Sequence, residues 1–193
     1  MNFSHYSDQT VEFAVDLVNT DELTGDEIGT VADLAAFLTR YESLLPMGAQ
    51  PVTEKDLKKL HRLRDDLRAI FTAPDVEAAV SHLNLLLEKS NATPRVSMHD
   101  GEPHLHYEPG RATMASRVGT IAAMGLAGVI VEHGISRFGT CSASNCRDVF
   151  VDTSRNRSRV HCCHNCSTRE AVAAYRKRQS ASEAPLHSKS LHS

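Results

Sequence analysis

The chain has no tryptophan, and aromatic residues make up only 5% of its 193 positions. That scarcity argues against a platform that stacks bases on aromatic rings, and against an interface built on large aromatic anchors. Residues 1–20 lack the basic start and apolar run of a secretory signal. The longest weakly polar run, "VGTIAAMGLAGVIV" at residues 118–131, is too short to span a bilayer and carries three glycines, so it reads as a core helix. These absences together point to a cytoplasmic protein with no membrane partner. A phosphate-cradling glycine loop, a nucleophile elbow and the His-Glu pair of zinc hydrolases are missing as well, so an enzyme is not expected.

What is present is spread unevenly. All five cysteines lie between 141 and 166. A secreted domain stapled by disulfides would distribute them along the chain, whereas this clustering points to a metal site. The net charge of −3 also hides a division. From Cys141 onward nine Lys/Arg oppose four Asp/Glu, giving +5, while the first 140 residues hold twelve against twenty, giving −8. A basic C-terminal segment behind an acidic body implies that only the former meets a polyanion.

The first two thirds read as mostly helical. "DLVNT" at residues 16–20 follows the short apolar stretch from Phe13 to Val15 and reads as a strand end or the start of a turn. Val31, Leu34, Phe37, Leu38 and Tyr41 fall at helical spacing, with Thr30 as cap, until Pro46 and Gly48 interrupt. "TEKD" announces a second helix through a Thr53/Asp56 capping box, and Leu57, Leu60, Leu63, Leu67 and Ile70 form its apolar stripe. A third helix over 75–89 would set Val76, Val80, Leu83 and Leu87 on one side, with Leu85, Leu86 and Leu87 as core or a dimer surface. Alternation then predicts a β-hairpin turning at Asp100 and Gly101, with Val96, Met98, Leu105 and Tyr107 on one face. His99, His104 and His106 would share the opposite face, which reads as a solvated surface and not a second metal site. Residues 111–135 form the longest helix, rich in small residues that allow close approach by its neighbours.

The cysteines fall as Cys141-x4-Cys146, fifteen residues, then Cys162-x3-Cys166, with Cys163 inside the second pair. Two short pairs at such a separation are the usual spacing of a structural Zn²⁺ site, since each pair can bend around one ion and the loop can return to close a tetrahedron. Four thiolates leave no open position for catalysis, and metal binding would supply free energy that a unit of about forty residues lacks. Free or redox-active thiols are the competing reading. Between the pairs, Val149 and Val151 alternate with Phe150 in a strand-like segment before a turn-forming "DTSRN". After Cys166, Ser167 and Glu170 read as a capping box that would start a helix immediately beyond the last cysteine. Knuckle, strand, turn and helix in this order resemble a treble-clef-like zinc finger. Its cations, Arg155, Arg157, Arg159, Arg169, Arg176 and Lys177, suit phosphate contacts. Arg176, Lys177 and Arg178 would equally favour a helix C-terminus without any ligand.

The stretch "CSASNCRDVFVDTSRNRSRVHCCHNCSTREAVAAYRKR" resembles the CGNR zinc finger, most specifically in "DTSRN" with "SR" following. The preceding residues, "DLVNT" among them, resemble the ABATE domain that usually stands upstream. The resemblance implies a bacterial, DNA-binding, stress-linked transcription regulator whose upstream domain is a candidate sensor. Counted from "DTSRN", it places the family's third cysteine on Cys162, so Cys141, Cys146, Cys162 and Cys166 are the implied zinc ligands, and Arg169 is an implied DNA or structural contact. The name-giving Cys-Gly-Asn-Arg reads Cys166-Ser167-Thr168-Arg169 here, and the second pair is shorter than the four-residue spacing common in the family.

The expectation is therefore an α+β, mostly helical protein. Residues 1–138 would be an ABATE-like helical domain with a β-hairpin, 139–180 a small treble-clef-like finger holding structural Zn²⁺, and 181–193 a disordered tail. Its partner would be double-stranded DNA, with a small-molecule effector at the N-terminal domain and a homodimer as further expectations. A zinc-stapled protein-interaction module and a thiol redox switch centred on Cys163 are the rivals.

Overall fold

The computed structural model describes residues 8–45, 51–98, 101, 103–109 and 113–182. Among them are six α-helices and three two-stranded antiparallel sheets, which is the mostly helical architecture with small hairpins that the periodicity predicts. Asp100, Pro46, Gly48 and His99, as well as the expected tail from 183 on, lie outside the described residues.

Helix α1 (Asp8–Asn19) corrects the strand-end reading of "DLVNT". Val11, Ala14, Leu17 and Val18 repeat every three or four positions, and with Thr10 and Phe13 they give one continuous buried face. Beyond α1, the short strands β1 (Asp21–Glu22) and β2 (Gly25–Asp26) pair as a ribbon. Helix α2 (Val31–Thr39) starts at a capping box in which Thr30 and Asp33 satisfy each other's backbone N–H, and Thr53 and Asp56 do the same for α3 (Glu54–Phe71). Phe13, Phe37 and Tyr41 form an aromatic cluster, with Phe13 and Tyr41 edge to face at 4.8 Å, and the Tyr41 hydroxyl donates to Asp16. The α3 stripe buries all five expected residues.

Helix α4 (Val76–Ser90) forms where expected but presents a different face. Its buried residues are Ala79, Leu83, Leu86 and Ser90, while Val76 is exposed. The run from Leu83 to Leu87 is apolar on more than one face, so packing against α3 and α5 selects the face that period alone leaves open. Asn91 ends the helix in the left-handed conformation at φ 51°. Strands β3 (Ala92–Ser97) and β4 (His104–Pro109) pair with Val96 opposite Leu105 and Pro94 opposite Tyr107, and Gly101 donates to the Met98 carbonyl in the turn. Val96 is 72% exposed, so the apolar face of this hairpin is uncovered at its tip. Helix α5 (Met114–His133) is long and apolar enough to cross a membrane, yet most of that surface is buried against α1, α3 and α4. At Gly125 a Cβ would lie 3.0 Å from the Thr10 backbone, so the α1–α5 crossing depends on having no side chain there.

A 3₁₀ turn at Ile135–Arg137 leads into β5 (Phe138–Thr140), which pairs with β6 (Val149–Val151). The expected alternation does not appear in β6, whose three residues are all buried. Val149 and Val151 belong to the same core as the helices, Phe138 packs on Phe71 at 4.9 Å, and the Phe150 ring lies against Gly139, where a Cβ would sit 2.5 Å from it. Polar contacts extend this docking. Asn19 holds Val149 by both backbone groups: its amide donates to the carbonyl at 3.0 Å and its oxygen accepts from the N–H at 2.7 Å. Arg68 bridges the carbonyls of Val18 and Arg147 at 2.9 and 2.7 Å, and Arg147 in turn reaches the Asp21 carboxylate and carbonyl. Beside them the buried Arg64 clamps Asp26 through two bonds of 2.8 Å. That donation outweighs partial burial and keeps the Asp26 pKa low, so the pair's contribution is full above the ordinary carboxylate range and is lost as pH falls through the lowered value. Helix α6 (His164–Ser182) is the last element among the described residues.

Replacing Asn19 with alanine leaves both backbone groups of Val149 without a partner, and should cost about 2 kcal/mol of stability in urea denaturation. Amide exchange at Val149 should quicken more than exchange within α3. Equal quickening at both places would remove the clamp reading.

Candidate metal centre

The metal site is built on the tight connection between β5 and β6. The Cys141 N–H donates to Asp148, extending the strand pair, and the Cys146 N–H donates to the Ala143 carbonyl, closing a knuckle around both cysteines. The loop returns by way of Val160, whose carbonyl accepts from the Ser142 N–H at 2.9 Å and from its hydroxyl at 2.8 Å. This sets Cys162 beside the knuckle, and Cys166 arrives from the first turn of α6. The sulfurs of Cys141, Cys146, Cys162 and Cys166 all lie within 4.8 Å of one another. Cys163 is exposed and outside this group, and neither His161 nor His164 belongs to it.

The donor set fits zinc. Zinc–sulfur bonds of about 2.3 Å would put tetrahedral sulfurs about 3.8 Å apart, and the Cys146–Cys162 and Cys162–Cys166 separations are 3.6 and 3.5 Å. Burial raises the Cys162 thiol pKa and pushes that of Cys146 up to about 12, while at Cys141 burial is outweighed by hydrogen bonds that lower it. A bound cation would favour the thiolate form of each. The core around the cysteines is small, with Ala143 as the additional buried apolar residue. A bound ion would hold the knuckle, the returning loop and α6 to one point without taking part in chemistry.

Several neighbours hold the site in place. Asp152, the first residue of "DTSRN", is buried and accepts from the N–H groups of Ser154 (2.7 Å) and Arg159 (2.9 Å). Burial raises its pKa, but these bonds and the Arg137 guanidinium prevail and hold it below the usual value. Arg137 secures the same loop through the carbonyls of Asp152 and Ser154. Arg159 is exposed but engaged locally: its guanidinium lies over the Phe150 ring at 4.8 Å and donates to the carbonyls of His161 and Cys162. Arg169 donates to Cys166 Sγ at 3.1 Å. Arg155 and Arg157 remain exposed on the loop, Arg157 with a left-handed φ of 51° and a bond to Ser136. Arg176 and Lys177 are exposed on α6.

The Ser167/Glu170 capping box is not formed. Helix α6 starts at His164, because the Cys163 carbonyl accepts from the Ser167 N–H and so takes the cap position. Glu170 instead accepts from the N–H and hydroxyl of Ser144, both at 2.9 Å, tying α6 to the knuckle. The bracing roles of Asn19, Arg68, Arg137, Asp152 and Glu170 are absent from the sequence reading. Only Asp152 carries a local signal, an aspartate two residues before a serine in a turn.

Protons compete with the ion for the thiolates, so affinity should fall as pH drops. Zinc-loaded protein should release its ion to a chromophoric chelator on acidification, and Cys162→Ser should weaken binding by more than about 100-fold, beyond the loss of an outer partner. Retention independent of pH, or near-normal affinity in the variant, would contradict a four-thiolate centre.

Two family profiles match in sequence. Residues 12–133 match ABATE, described as "putative stress-induced transcription regulator", and residues 137–179 match the CGNR zinc finger. No curated protein matches the chain. With the larger match covering most of the chain and the cysteine cluster lying inside the smaller, the protein belongs to the ABATE family and carries a CGNR zinc finger at its C-terminal side.

Proposed function

We propose that the protein is a DNA-binding transcription regulator, acting by binding and without catalysis, in which structural Zn²⁺ at Cys141, Cys146, Cys162 and Cys166 fixes α6 for contact with double-stranded DNA. The observation that carries this reading is the state of α6 itself. From Ala171 to Ser180 every residue is exposed, including Arg176, Lys177 and Arg178, while the helix base is fixed by Cys166 and Glu170. A solvent-facing basic helix with its base held at the finger, together with exposed Arg155 and Arg157 on the loop, offers cations that suit phosphate contacts. In this reading Arg155, Arg157, Arg176 and Lys177 meet the DNA, and Arg159 and Arg169 brace the centre. A cleft of about 540 Å³ between α1 and the finger is walled by Asp8, Glu12, Asp16 and Asp148, whose charges would turn phosphates away from that side. The helical body is then the unit that takes an effector or a second copy. A cleft of about 610 Å³ among α3, α4 and α5, lined by Arg62, Asp66 and Ser116, is within the size range of small-molecule sites.

One observation favours a protein partner instead. Val172 and Tyr175 lie three apart on α6 and are 43% and 54% exposed, giving a small apolar strip. That reading requires a partner whose capture survives nuclease.

Fluorescence anisotropy with genomic DNA fragments separates the two. Zinc-loaded protein should bind with affinity that falls steeply with salt, and Arg176→Ala or Lys177→Ala should each reduce the logarithmic salt slope by about 1. Binding that is absent or insensitive to salt would sink the DNA reading.

A further inference from the structure

The six residues "HCCHNC" hold a second pairing that the metal set does not use. Cys163 and Cys166 are three apart, with Cys163 at the cap of α6 and Cys166 in its first turn. The Cys163 carbonyl accepts from the Ser167 N–H, so Cys163 occupies the cap position and its side chain stands at the start of the helix. One turn of helix sets such residues at a Cα separation of about 5–6 Å, inside the range that a disulfide spans. Their environments are opposite: Cys163 is exposed and lines the cleft beside α1, while Cys166 is buried at 5% exposure. An accessible sulfur at a helix start, followed three positions later by a protected one, is the arrangement of an attacking and a resolving thiol.

We propose that Cys163 and Cys166 are a peroxide-oxidisable pair, so that forming their disulfide removes Cys166 from the zinc set and releases α6. The Cys163 sulfur attacks one oxygen of a hydroperoxide. An S–O bond forms, the O–O bond breaks, and the departing oxygen takes a proton to leave as water or an alcohol. The Cys166 sulfur then attacks the resulting sulfenic acid, forming the S–S bond as S–O breaks and the hydroxide leaves with a proton as water. Two thiols have lost two electrons to one hydroperoxide. Three thiolates remain for the ion, and Arg169, now without the thiolate charge at Cys166, no longer anchors the helix base. The proposal rests on the metal-centre reading and is independent of whether α6 meets DNA.

The test uses the full-length, zinc-loaded protein, with zinc content measured before treatment. Exposure to hydrogen peroxide should release zinc to a chromophoric chelator, and peptide mapping after thiol alkylation should find a bond joining Cys163 to Cys166. Cys163→Ser keeps a good helix cap and leaves all four ligands. It should hold zinc as the parent does, and its peroxide-driven release should slow by about tenfold or more with the exposed nucleophile gone. A disulfide mapped to any other pair, or release from the serine variant at the parent rate, overturns the proposal. Failure of the reduced, loaded protein to bind DNA would overturn the regulator reading alone, and lack of zinc before treatment would overturn the metal centre.

Discussion

The metal centre depends on bringing four sulfurs, two buried and two half-buried, to within 4.8 Å of one another. The apolar core surrounding them is little more than the cysteines and Ala143, too small to offset the entropy of ordering some forty residues. Burial also works against ionising those sulfurs, so an apolar collapse around them would gain little. One divalent cation answers both difficulties, because it gathers the ligands and makes their negative charge favourable. The hydrogen bonds nearby then have a shared purpose. Ser142 to Val160, Ser144 to Glu170 and Arg159 to the carbonyls of His161 and Cys162 each fix one approach to the same point.

The second support of the finger lies in the helical body. Its β5–β6 hairpin puts Val149 and Val151 into the main core, and Asn19, Arg68 and Arg147 satisfy the backbone around that contact. "DLVNT" thereby gains a physical account. Its leucine and valine are core, its asparagine grips β6, and its threonine closes the turn by donating to Leu17 and accepting from Arg64. The same five residues that end α1 also fix where the finger sits.

Local signals were legible in the sequence wherever the deciding partner is local. The cap at Thr30, the capping box at Thr53 and the α3 stripe involve neighbours within one or two turns, and each appears as the letters imply. The cysteine spacing was legible too, since few purposes other than one ion call for two short pairs. Where a distant partner decides, the letters mislead. Ser167 and Glu170 have the spelling of a cap, but Ser144 offers Glu170 two donors and Cys163 already occupies the cap. In α4, the run from Leu83 to Leu87 allows several faces, and its neighbours choose Ala79, Leu83 and Leu86. Charge patterning could not separate Arg159, folded over Phe150, from Arg155, which faces solvent.

The hairpin docking bears on how portable the finger is. Zinc fingers are often regarded as interchangeable cassettes, yet a fragment cut at the start of β5 would carry away Phe138, Val149 and Val151 with the cover of α1 and α3 stripped from them. It would also leave behind the side chains of Asn19 and Arg68 that complete its backbone. Grafted onto another protein, such a cassette would be sticky along one edge and loose in its strand pairing even with its ion in place. The natural unit of transfer is the whole chain from α1 onward.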